Sequence, residues 1–207
     1  MPPTTDIAPD GDVTLIIGPE KASFKVFSQV LKISSKVFPA MFNPQFREGQ
    51  SLLQHSSTTI PLPEDDPEAM ETLLRVLHGS DSWTHYLKFD GGHILRVAIA
   101  TDKYDCNVAM GPVARICLDT AAKNEEIKTE ELLDWLMAAY WLEDHQGFEE
   151  LSLRLVMEHQ GSYLTACKAD NSNLDQETLF QILGEFITAD QVTTPIVDKL
   201  TDDDNDF

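Results

Sequence analysis

Between Asp12 and Val26 apolar and polar residues alternate. In DVTLIIG, Val13, Leu15 and Ile17 share one face of an extended segment, and in SFKVF, Phe24 and Val26 do the same. The five residues GPEKA join the two runs, so the pattern predicts a β-hairpin with a turn containing Gly18 and Pro19. TIPL at 59–62 is a further short apolar piece that suits an edge strand, where Pro61 does least harm to the ladder. Residues 1–11 hold three Pro and one Gly with little apolar content and are expected to be a flexible arm.

Elsewhere the period becomes helical. Ser28 is placed to cap a short helix through Ile33. Ser34 or Ser35 is placed to cap a second, carrying Val37, Phe38, Met41 and Phe42, with Pro39 held to its first turn. After a polar loop over 49–59, Asp66-Pro67-Glu68 has the order of a cap, a first-turn proline and a dipole-complementing acid. Met70, Leu73, Leu74 and Leu77 then follow one stripe, which Gly79 ends. Residues 80–91 read as loop with a short strand at Tyr86–Phe89. HILRVAIATDKY is apolar around most of its circumference and predicts a central, buried helix. A helix over 108–122 shows Met110, Val113, Ala114, Cys117, Leu118 and Ala121 on one stripe, its first turn made irregular by Gly111-Pro112. Thr129 opens TEELLDWLMAAYWL, and Phe148, Leu151 and Leu155 mark another helix that closes at Gly161. Beyond a polar link at 161–175, Leu179, Ile182, Leu183 and Phe186 form a last stripe. Strand pair, helices, strand and helices together predict an α+β module, helices clustered on a small sheet, followed by an all-helical extension.

Charge narrows the partners. The 207 residues carry 15 Lys and Arg against 35 Asp and Glu, a net charge of −20. Residues 1–122 hold 10 basic and 15 acidic groups, and residues 123–207 hold 5 and 20. Binding to phosphate backbones or anionic lipid needs cations that displace counterions, so neither nucleic acid nor membrane is an expected partner. No apolar run approaches the ~20 residues that span a bilayer, and MPPTTDIAPDGD lacks the features of a secretory signal. A soluble protein of the cytoplasm, the nucleus or both is expected.

Candidate chemistry is sparse. Cys106, Cys117 and Cys167 have no CxxC spacing, and the six His have no HExxH or i, i+4 spacing. No metal site, catalytic residue or cofactor is therefore expected. His78, beside Gly79, is placed to meet carbonyls at the negative end of its helix. The acidic run Glu64-Asp65-Asp66 is accounted for by capping.

The run DVTLIIG…SFKVFSQVLKISSKVFPAMFNPQFREGQ…TIPLPEDDPEAMETLLRVLHG resembles the BTB/POZ domain over about residues 12–122. The segment ILRVAIATDKYDCNVAMGPVARICLD and the following WLMAAYWLEDHQGFEELSLRLV are similar to BTB proteins of filamentous fungi. The resemblance implies a BTB/POZ fold at 12–122 that continues into a helical extension, 129–190; the acidic run makes 191–207 an expected disordered, solvated tail. It also implies a protein-interaction module, often a homodimer, without catalytic activity. Some members are adaptors that bring a substrate to a cullin-type ubiquitin ligase through a hydrophobic-x-Glu motif, and Phe46-Arg47-Glu48 stands at the matching place. Either Phe46 anchors a cullin contact whose register Glu48 sets, or Phe46 covers the edge of the helix pair and Glu48 is solvated.

Two departures from the family matter. Phe27 stands where a His is usual, and Ser28 stands where many members carry the basic residue that pairs with an Asp, matched here by Asp12. Recruitment through that charged pocket is not expected. Strand-swapped dimers need an N-terminal helix and strand, for which residues 1–11 leave little room. Trp135 and Trp141, on one helix with Tyr140, cannot all face the same way; they read either as core or as an aromatic docking patch.

Overall fold

The computed structural model describes residues 4–46, 49–50, 57–80 and 86–158. These all lie in the first of the two units into which the chain divides, Met1–His159 and Gln160–Phe207. The expected closing Gly161, the stripe from Leu179 to Phe186, Cys167 and the acidic tail lie outside the described residues, as do Arg47, Glu48 and residues 51–56.

Four strands form one open mixed sheet: β1 (Thr4–Asp6), β2 (Val13–Ile17), β3 (Ala22–Val26) and β4 (Thr58–Leu62), in the order β1-β3-β2-β4. β2 and β3 are the expected antiparallel hairpin, with Leu15 opposite Phe24. β4 lies parallel to β2 at an edge, with Ile60 beside Leu15 and Pro61 beside Ile16. Because side chains alternate across a strand, this register puts Val13, Leu15, Ile17, Phe24, Val26 and Ile60 into the core together. The expected loose arm is corrected here. Thr4–Asp6 pair parallel with Ser23–Lys25, and Ile7 and Ala8 are buried. A three-residue strand supported by its neighbour is too short to leave a period in the sequence.

Helices cover the sheet: α1 (Ser28–Ser34), α2 (Val37–Met41), α3 (Pro67–His78), α4 (Gly91–Lys103), α5 (Asn107–Lys123), α6 (Thr129–Trp141) and α7 (His145–Glu158). α3 begins as the sequence predicts, with Asp66 Oδ1 accepting from the Ala69 N–H at 2.8 Å, and ends at left-handed Gly79 (φ 58°). Ser35, of the two candidates, caps α2 and accepts from the Val37 and Phe38 N–H groups. Ser28 does not cap α1; it is the helix's first residue, and its N–H is taken by the carboxylate of Asp12, just before the neighbouring strand β2. Tyr86–Phe89 is not the expected strand: Tyr86 is helical and Leu87 and Lys88 form a turn, after which Phe89 packs on His93 (ring centroids 4.0 Å) as the chain enters α4 at its cap, Asp90. α5 runs through Pro112 without the expected irregular first turn.

α4 is the buried centre. It packs on α3 on one side and along α6 on the other, and α7 closes over α5 and α6. The start of the expected extension is thus part of the same packed body as the sheet. Gly91 makes the α4–α6 approach close: a Cβ there would lie 2.9 Å from both the Glu131 carbonyl oxygen and Trp135 Cδ1. Arg154 of α7 ties off the link between α5 and α6 by donating to the carbonyls of Ala121, Asn124 and Ile127 at 2.7–3.1 Å. These are carbonyls that the end of a helix and a turn leave without helical partners.

Candidate protein-interaction surface

The expected site residues do not converge. Asp12 sits beneath the start of α1, where its carboxylate accepts the Ser28 N–H at 2.7 Å and the Ser28 hydroxyl at 2.6 Å. Burial pulls its pKa upward, but the two Ser28 bonds, aided by nearby Lys32, hold the carboxyl below its ordinary range. Asp12 thus has an intramolecular partner in place of the family's cation, and it organises a helix end. Trp135 is buried, and its indole N–H reaches Glu131 Oε1 at 3.3 Å, the oxygen that also accepts from the Gly91 N–H. That is a core position. Trp141 is half-buried at the end of α6, edge-on to Tyr140, with a buried indole N–H that has no partner. Of the four that are described, Phe46 is the exposed one, at 55% after α2. Glu48 lies outside the described residues.

Other side chains show where a partner would gain most. α1 buries Leu31 and leaves Ile33 74% exposed, while Val108 at the start of α5 is 95% exposed. The elements carrying them are fastened together. Ser35 Oγ donates to the Tyr104 carbonyl at 2.5 Å, and Lys36 bridges Asp105 at 3.0 Å, so the α1–α2 link abuts the α4–α5 corner. The sequence offered no signal for Val108, because an apolar residue one position off a buried stripe looks like any other. The same corner is acidic: burial, Glu143 and Asp105 raise the Asp102 pKa above its usual carboxylate value. On the far side, Ile116 of α5 and Leu153 and Met157 of α7 are also exposed.

Burial pushes the Cys106 and Cys117 thiols up to about 11, away from the thiolate that nucleophiles require. Two clefts of about 310 and 340 Å³ flank Phe89. Cys117 and Trp135 line the first, and Thr72 and His93 line the second, where the His93 Nε2 is already engaged by the Thr72 hydroxyl at 3.0 Å. Among the described residues no cluster of His, Cys, Asp and Glu could hold a metal ion, and no helix is long and apolar enough to cross a membrane.

Residues 10–108 match the family model of the BTB/POZ domain. The match is to the domain as a whole and does not single out proteins of filamentous fungi. No curated protein matches the chain.

Proposed function

With residues 10–108 a BTB/POZ domain, a module that generally mediates protein–protein interaction, we propose that the chain is a non-catalytic scaffold that forms homotypic or heterotypic complexes. The observation that carries this reading is the exposure of Ile33, Phe46 and Val108, large apolar side chains on and beside elements that are fastened to one another. Moving one such side chain out of water is worth ~1.5–3 kcal/mol, so two or three of them are enough to anchor a partner. The pairing of β1 with its own β3 supplies an N-terminal strand without exchange between copies.

Multi-angle light scattering of the purified chain at about 50 µM, a range in which micromolar affinities register, tests the homotypic half. A dimer mass is expected, with Ile33→Asp or Phe46→Asp weakening association at least ~10-fold and leaving thermal unfolding unchanged. A strict monomer at that concentration would remove homotypic association.

A second reading, adaptor of a cullin-type ubiquitin ligase, is favoured by the exposure of Phe46 at the position of the hydrophobic-x-Glu motif. It predicts that the N-terminal region of a cullin is captured by the chain and that Phe46→Ala lowers capture at least ~10-fold, as expected of an aromatic anchor. No capture, or capture indifferent to the substitution, rejects it.

A further inference from the structure

The residue before α1 and the first residue of α1 are both held by side chains distant in sequence. Ser28 is held by Asp12 through its N–H and its hydroxyl. The Phe27 N–H donates to His78 Nε2, at the end of α3, at 3.1 Å. His78 Nδ1 lies 2.8 Å from the Leu74 carbonyl oxygen. A carbonyl can only accept and a backbone N–H can only donate, so the two contacts fix the protons of the ring: Nδ1 carries one and Nε2 carries none. The Phe27 ring, 39% exposed, stacks on the imidazole with centroids 6.5 Å apart.

A second proton has one place to go, Nε2, and there it would point at the Phe27 N–H. An imidazolium has no acceptor to offer, so the bond is lost and two donors are left facing each other. We infer that the His78–Phe27 contact is a proton-released latch on the N-terminus of α1, the helix that carries exposed Ile33. Its bearing on partner binding rests on the interaction face proposed above.

The groups facing the imidazole are few. They are the Leu74 carbonyl on its own helix, which favours the cation, and the Phe27 amide and ring from the start of α1; no charged side chain among the described residues contributes to its shift. Burial outweighs the carbonyl and draws the ring below its ordinary 6.5. A base depressed in the folded state stabilises the fold above its unfolded value, and that contribution is lost as pH falls from 6.5 through the lowered value. Asp12, a depressed carboxylate facing Ser28 and Lys32, keeps its grip to lower pH. Between the two transitions, of these two side chains only Asp12 still bonds the start of α1.

Nuclear magnetic resonance of the full chain, titrated downward from about pH 8 until the His78 ring signals have passed their midpoint, reads this without any partner, so its failure and that of the interaction face are separate results. At neutral pH the His78 ring is expected as the Nδ1–H tautomer. The Phe27 amide should shift with the His78 midpoint, and exchange of the first α1 amides, corrected for intrinsic rate, should quicken about fivefold once the bond is gone. In His78→Gln that movement of the Phe27 amide should vanish. An Nε2–H tautomer, a Phe27 amide that stays still while His78 titrates, or a titration that persists in His78→Gln overturns the latch. If His78→Gln does not fold, the tautomer and the co-titration in the unaltered chain decide the matter.

Discussion

Replacing Asp65 by Ala is expected to lower unfolding stability by about 3 kcal/mol, among the largest losses any single polar residue here would cause. Asp65 is almost fully buried between β4 and α3. Its carboxylate accepts from the Tyr104 hydroxyl at 2.7 Å and from Lys103 Nζ at 2.6 Å. It thus pins the end of α4 to the loop that starts α3. Tyr104 is buried, and its ring stacks on Phe38 with centroids 4.7 Å apart. With Asp65 gone, the phenol has no acceptor and cannot reach water. Burial, then the neighbouring carboxylate, push the phenol's pKa well up, so it remains a donor throughout the accessible pH range. Lys103 is half-exposed and can be rehydrated, which keeps the cost below that of a fully buried broken pair. Urea unfolding should show a lower midpoint at constant slope, and adding Tyr104→Phe should recover about 1 kcal/mol by removing the stranded hydroxyl. Asp65→Asn, which keeps an acceptor for Tyr104, should cost less than Asp65→Ala. A loss under about 1 kcal/mol for Asp65→Ala would mean that this cluster does not hold α4 in place.

Trp135→Ala should destabilise the chain by about 3–4 kcal/mol, with the damage centred on the α4–α6 joint. The indole fills the space against which Gly91 is packed, and its N–H shares Glu131 Oε1 with the Gly91 amide. Removing it opens a cavity and frees one side of that shared bond. Trp141→Phe is the comparison: it deletes a buried N–H that has no partner, so its cost should stay within about 1 kcal/mol. Paired unfolding curves check both. If Trp135→Ala unfolded at the original midpoint while losing a binding partner, Trp135 would be a docking residue and its placement in the core would be wrong.

The contrast between the two tryptophans shows what could be read from the chain. Period-2 and period-3.6 patterns located β2, β3, β4 and the helices, because one-sided burial stamps its spacing on the residues. Asp66 and Gly79 were legible as stops for α3 because capping is local. What escaped were pairings across long sequence separations. Ser28 looked like a cap by itself, yet its hydroxyl is a donor to Asp12, sixteen residues earlier. Asp65 and Asp66 looked alike as capping acids, but one is a surface cap and the other the buried acceptor for residues 38 and 39 positions away. Phe46 was found through resemblance. Ile33 and Val108 emerged only when the fold showed which apolar residues the core had left out.

The two ends of the sheet are not equivalent. β4 pairs on one side with β2, through bonds such as that from the Thr58 N–H to the Asp12 carbonyl, so the outward rank of its backbone is the one containing position 61. Proline there deletes a donor from the only flank a newcomer strand could use. β1, at the opposite margin among the described residues, has no such block. Among the described residues, Pro61 therefore makes β4 the poorer of the two margins for adding a further strand, the disposition that disfavours unlimited edge-to-edge growth of a sheet.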